Sequence, residues 1–102
     1  MPRLVGARGT KPLADMFYVY ILESMKNGRF YIGYSDDPHR RLTEHNAGKV
    51  KSTRSYRPWK KVYTECYPTE AEAMRRERYL KSMKSHTFIR NLINKFVDTS
   101  RL

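Results

Sequence analysis

A chain of 102 residues is long enough for one domain with a single modest core and too short for two. Its 21 Lys and Arg against 10 Asp and Glu leave a formal charge of +11, a field that draws polyanions, nucleic acid first among them and an anionic membrane second. No run approaches the roughly 18 apolar residues of a spanning helix, no apolar signal core follows the basic N-terminus, and the single Cys66 can close neither an internal disulfide nor a zinc site. A reduced, cytoplasmic setting is therefore expected, with no membrane partner.

Residues 1–15 set glycine and proline breakers around Arg3, Arg8 and Lys11 and read as a flexible basic tail; one domain is expected over residues 16–102. The aromatic and β-branched run Phe17–Glu23 predicts a strand, and Phe30–Ser35 a second, joined by turn chemistry over Ser24–Gly28. A two-residue Asn27-Gly28 turn would pair Ser24 with Tyr31, whereas a four-residue loop from Ser24 to Asn27 would put Tyr20 opposite Tyr31. Both registers place the two tyrosines on one face, and only the second lets them share a site. Asp37-Pro38 predicts a helix start and Gly48 its end, giving a helix over roughly residues 38–47 with Arg41 and His45 four apart on one face. Gly48–Lys61 reads as a loop with six Lys or Arg, interleaved with Tyr56 and Trp59. Val62–Tyr67 predicts a third strand, and the capping box Thr69-x-x-Glu72 a helix over roughly residues 70–84. That helix should leave Arg75, Arg76, Arg78, Lys81 and Lys84 largely outside. Phe88, Ile89, Leu92, Ile93 and Phe96 form the stripe of a last helix. The order β-β-α-β-α-α predicts a small α/β (α+β) domain, a mixed sheet with helices packed on it.

Chemistry concentrates in few places. A phenol beside a cation can position or deprotonate water, a reading open to Tyr18, Tyr20 and Tyr31, although among eight tyrosines any one taken alone is more often packed or at a sheet edge. Gly33 inside a strand marks either a bulge or the close approach of a ligand or backbone. Arg41 can hold two phosphate oxygens and stabilise a five-coordinate transition state, while Arg40 can pair with Glu44. For His45, capping, packing, phosphate contact and proton transfer stand level. Glu77 lies among Arg75, Arg76 and Arg78, and its spacing favours an ion pair with Lys81; as a lone carboxylate it also suits Mg²⁺, which keeps most of its waters. Arg40, Lys49, Lys51, Arg54, Arg57 and Lys60 are the candidate DNA-backbone contacts, with Tyr56 and Trp59 either stacking on bases or tucked inside.

Tyr18-Val19-Tyr20, the literal Tyr31-Ile32-Gly33, Arg41 ten residues on, His45 on the next turn and the Arg-Glu-Arg-Tyr-Leu-Lys run from Arg76 resemble the GIY-YIG nuclease superfamily. The likeness covers roughly residues 16–96 and points to small stand-alone bacterial members related to the catalytic module of the UvrC excision-repair nuclease. The resemblance implies a three-stranded antiparallel sheet flanked by helices, one divalent metal (Mg²⁺ or Mn²⁺), and hydrolysis of a DNA phosphodiester in repair or recombination, with a protein partner from that machinery as one source of specificity. Carried over, Tyr31 would be the general base, Tyr20 would orient the water and Arg41 would stabilise the transition state. Glu77 would bind the metal, and His45 would support Tyr31 or the phosphate. Tyr18 stands where the first motif has glycine, and Tyr34 where the repair branch often has lysine. A nuclease fold kept for nucleic-acid binding alone is the alternative, and a basic ribosome-associated protein ranks below both.

Overall fold

The computed structural model describes residues 12–100, the side chains of residue 13 and residues 97–100 apart. It contains strands β1 (Phe17–Ser24), β2 (Phe30–Ser35) and β3 (Trp59–Tyr67) and helices α1 (Pro38–Asn46), α2 (Glu70–Ser82) and α3 (His86–Ser100). The β-β-α-β-α-α order holds. The sheet runs β2-β1-β3 and is antiparallel throughout, not mixed, as both β2 and β3 pair antiparallel with the central β1. Residues 1–11 of the expected tail lie outside the described residues, but its end is structured: Leu13–Asp15 makes one 3-10 turn and Met16 is buried.

Central position explains β1. Val19, Tyr20, Ile21 and Leu22 are all at most 1% exposed, so this strand is apolar on both faces rather than alternating. Val19 and Ile21 pack with Ala73, Leu80, Ile89 and Ile93 of α2 and α3. Tyr20 and Leu22 pack on the opposite face with Trp59 and, more loosely, Tyr31, Leu42 and Tyr56. The helix α1 and the chain that follows it cover that second face.

The hairpin takes neither expected register. Ser24 N–H donates to the Arg29 carbonyl and Gly28 N–H to that of Ser24, so the loop is Met25–Gly28. Ser24 Oγ accepts from the Lys26 and Asn27 amides, and Gly28 supplies the left-handed φ of 79° that closes the loop. Tyr31 therefore lies opposite Leu22, and Tyr20 opposite Gly33. The two tyrosines remain on one face as diagonal neighbours. Gly33 is no bulge; the register shift lies instead between Ile21 and Leu22, against β3.

Other boundaries differ for local reasons. β3 begins at Trp59 instead of Val62, because the Trp59 amide donates to Asn46 Oδ1 and the Asn46 amide returns a bond to the Trp59 carbonyl. Trp59 is 4% exposed with its indole N–H on the Thr53 carbonyl, which removes it as a base-stacking surface. At the start of α1, Asp37 Oδ1 accepts from the Arg40 amide. Beyond its end, Gly48 takes φ 80° and the Lys49 amide reaches back to the Glu44 carbonyl. Thr69 caps α2 as expected, accepting from the Glu72 amide. The helix stops at Ser82, short of 84, and Lys84 adopts a left-handed φ of 47° before α3.

Arg76 is the clearest departure. It does not lie outside α2 but reaches Glu65, a carboxylate only 1% exposed on β3, with Nε at 2.9 Å from Oε1 and Nη2 at 2.9 Å from Oε2. The hydroxyls of Tyr63 and Tyr67 donate to the same carboxylate. Burial alone would raise the Glu65 pKa, but the bonds from Arg76, Tyr63 and Tyr67 outweigh it and hold it below the ordinary value. This network fixes α2 against β3, and the next residue of α2 is Glu77.

Candidate active site

The site lies where β1, β2, α1 and α2 converge. Tyr20, 1% exposed, points away from α3, and Tyr31 sits diagonally beside it with ring centroids 6.2 Å apart. Space for this pair comes from Gly33. A Cβ there would stand 2.7 Å from the Tyr20 hydroxyl oxygen and 2.8 Å from its Cζ. The glycine thus accommodates a tyrosine of the chain itself, not a ligand. Gly33→Ala is expected to cost about 1–3 kcal/mol by pushing a buried ring off its position, measured as a fall in melting temperature with a shift of the Tyr20 ring signals.

Helix α1 delivers Arg41 and His45 to the same phenol. Arg41 donates to Glu44 and sets its positive charge beside the Tyr20 phenol. The Tyr20 hydroxyl lies 3.4 Å from His45 Nε2. His45 Nδ1 lies 2.8 Å from Thr53 Oγ1, whose own hydroxyl donates to the Val50 carbonyl at 3.3 Å. With its own proton on Val50, Thr53 accepts from His45 Nδ1–H, and His45 Nε2 accepts from the Tyr20 hydroxyl; the chain runs from Tyr20 through His45 to Thr53 and Val50, and His45 is neutral with its proton on Nδ1. Neither His45 nor Thr53 has more than 2% of its surface exposed, so His45 makes no open phosphate contact. It acts on the tyrosines, with the Tyr31 ring centroid 4.6 Å from its own.

The electrostatics follow the burial. Desolvation pushes Tyr20 up to about 12, partly opposed by the Arg41 guanidinium; the Tyr31 and Glu77 charges push the same way as burial. Glu77 therefore acts electrostatically on the Tyr20 hydroxyl. Desolvation, then the Arg41 charge, take His45 down to about 4. A histidine whose folded pKa lies below its unfolded value near 6.5 binds its proton more readily when unfolded. Stability should then fall as pH drops from about 6.5 toward 4 and be level above that window. Thermal melts across this range check it, and a flat profile in acid would contradict the buried neutral imidazole.

Glu77 is 16% exposed and pairs with Lys81 at 3.0 Å, the ion pair that spacing favoured. Among the described residues no group of three or more His, Cys, Asp or Glu side chains comes together. An ion at Glu77 would have one protein carboxylate and otherwise water and substrate oxygens. That donor set fits a small hard cation of the Mg²⁺ type, which tolerates such sparse protein ligation.

The candidate backbone contacts form a separate surface. Arg40, Lys49, Lys51, Arg54, Arg57 and Lys60 are all exposed. Arg40 pairs with Asp36 and Glu44. Arg57 folds back over Gly48 and donates Nε–H to the Arg54 carbonyl, and with Arg54 and Lys26 it lines a shallow polar depression. The structure brings Tyr20, Tyr31, Arg41 and His45 together, sets Glu77 within electrostatic reach of Tyr20, and leaves these six outside that cluster.

Sequence reasoning missed three residues here. Thr53 gave no signal, being one threonine in a polar loop. Glu44 was assigned to Arg40 alone, whereas it also binds Arg41. Glu65 did leave a trace: in Tyr63-x-Glu65-x-Tyr67, strand alternation puts a carboxylate between two tyrosines on one face.

A family model described as the GIY-YIG catalytic domain matches residues 16–91. The chain belongs to the GIY-YIG family. Among relatives, a UPF0213 protein of Streptococcus pneumoniae is 38% identical over 91 residues, covering 80% of this chain and 91% of that one. A UPF0213 protein of Halobacterium salinarum is 42% identical over 69 residues, 67% of this chain and 88% of the other, so such small GIY-YIG proteins occur in archaea as well as bacteria. The solution NMR structure of a UPF0213 protein from Bacillus halodurans is 40% identical, with a TM-score of 0.50 over 78% of this chain and 83% of that one. Those names state a family and no reaction. Membership of the GIY-YIG family makes this a nuclease-like fold and implies nucleic acid as the class of substrate, nothing finer. No helix among the described residues is long and apolar enough to cross a membrane.

Proposed function

We propose that this GIY-YIG domain is a divalent-metal-dependent endonuclease that hydrolyses DNA phosphodiester bonds, in a cytoplasmic repair or recombination setting. The observation that carries the reading is the meeting of two tyrosines, an arginine and a histidine, with a lone carboxylate within electrostatic reach, on a basic domain. Tyr20 donates to His45 and His45 to Thr53 in a buried chain, which suits Tyr20 to orienting rather than titrating. Tyr31, half-buried beside them, would act as the general base on an attacking water. Arg41 would exchange Glu44 for phosphate oxygens and hold the added negative charge of the five-coordinate transition state. Glu77 would hold Mg²⁺ or Mn²⁺, which when bound supplies Lewis acidity at the phosphate and stabilises the leaving oxygen.

Two ion pairs favour the second reading, a binding module without chemistry: Arg41–Glu44 and Glu77–Lys81 occupy the groups that would act. Their weight against catalysis is small. Partly exposed pairs are worth about 0–1 kcal/mol, less than a polyanion and its metal would offer in exchange. The direct test is cleavage of labelled duplex, flap, junction and single-stranded DNA with Mg²⁺ or Mn²⁺. Cutting that stops on chelation with EDTA is expected; tight, salt-sensitive binding without cutting under either metal would sink the proposal.

A further inference from the structure

A groove of about 410 Å³ runs from Tyr31 along the outer edge of β2 to the α2–α3 junction. Its apolar floor is the half-buried Phe30 and Ile32 over the nearly closed Leu80 and Ile89, while Lys81, Lys84 and His86 line it as well. Lys84 has no acidic partner among the described residues. The strand β2 pairs with β1 alone, so alternate backbone groups, those of Ile32 among them, face the open sheet edge. None of this belongs to the surface formed by residues 49–60, and Tyr31 is common to the groove and the candidate active site.

Cations above an apolar floor beside free backbone donors and acceptors match one ligand on a chain of charge +11. That ligand has an anionic backbone, a flat apolar face and hydrogen-bonding edges. Duplex DNA presents its phosphates outward but keeps its base faces stacked inside, so it could meet the lysines and leave the floor uncovered. An unpaired nucleotide could satisfy both. We infer that this groove holds one unpaired nucleotide next to the phosphodiester at Tyr31, so that the preferred substrate carries a single-stranded segment at the cut. The inference rests on the endonuclease reading for what happens to that strand, and on the groove alone for its binding.

The test separates the two. Glu77→Ala protein, in EDTA, is titrated with a labelled blunt duplex and with the same duplex bearing a single-stranded thymidine extension. The extension should tighten binding about tenfold, the worth of one stacked base. Lys84→Glu and His86→Ala, each added to that background, should remove most of this gain while changing blunt-duplex affinity less. Amide signals of Ile32, Ser85 and His86 should move with the extended probe and not with the blunt one. Equal affinity for the two probes, equal weakening of both by Lys84→Glu, or signal changes confined to residues 49–60 would each overturn the groove assignment. Absence of cleavage by the unaltered protein would sink the nuclease reading and leave this binding result standing.

Discussion

Arg41→Ala is expected to lower DNA cleavage by at least about a hundredfold, the usual cost of losing one preorganised donor to a transition-state oxyanion. The side chain is partly exposed and its one ion-pair partner among the described residues, Glu44, lies on its own helix, so the fold should survive with little loss of melting temperature. Arg41→Lys should recover only a small part of the rate. It restores a charge but not the fork that can hold two phosphate oxygens at once. Single-turnover cleavage alongside binding checks this, and a loss under about tenfold would remove Arg41 from the reaction.

Arg76→Ala carries the largest expected stability effect, about 3–5 kcal/mol, because it leaves the Glu65 carboxylate buried and uncompensated. The sign of its pH dependence is part of the prediction. In the unaltered protein the depressed Glu65 pKa means that the network stabilises at neutral pH and is lost as pH falls through the folded pKa. Without Arg76, burial dominates, the folded carboxyl takes up a proton, and the deficit should narrow on acidification. Replacing Glu65 and Arg76 together by leucine should cost much less than Arg76→Ala alone. Denaturant titrations at pH 7 and pH 4.5 would show both effects. Because Glu77 follows Arg76 on α2, cleavage should fall in Arg76→Ala even where the protein remains folded.

Much of this was legible in the residues. Strand and helix order followed from the aromatic run at 17–23, from Asp37-Pro38 and Gly48, and from Thr69-x-x-Glu72, since each signal is local in its physics. The site cluster was legible because Arg41 and His45 share a helix face and the two tyrosines share strand parity, which any register of odd pairing sum preserves. What escaped was tertiary. The register was set by Ser24 Oγ and Gly28 closing a loop one residue later than expected. The purpose of Gly33 depended on which side chain lies across it. Arg76 looked like one more surface cation until β3 brought Glu65 beneath it, and Trp59 looked available until Asn46 and Thr53 claimed its two N–H groups.

The most direct measurement is binding and cleavage of one labelled DNA by unaltered protein and by Glu77→Ala, each with Mg²⁺ and with EDTA. Catalysis through this site predicts that both proteins bind the DNA comparably and that only the unaltered one cuts it, and only with metal. Metal-independent cutting, or equal cutting by Glu77→Ala, would contradict it.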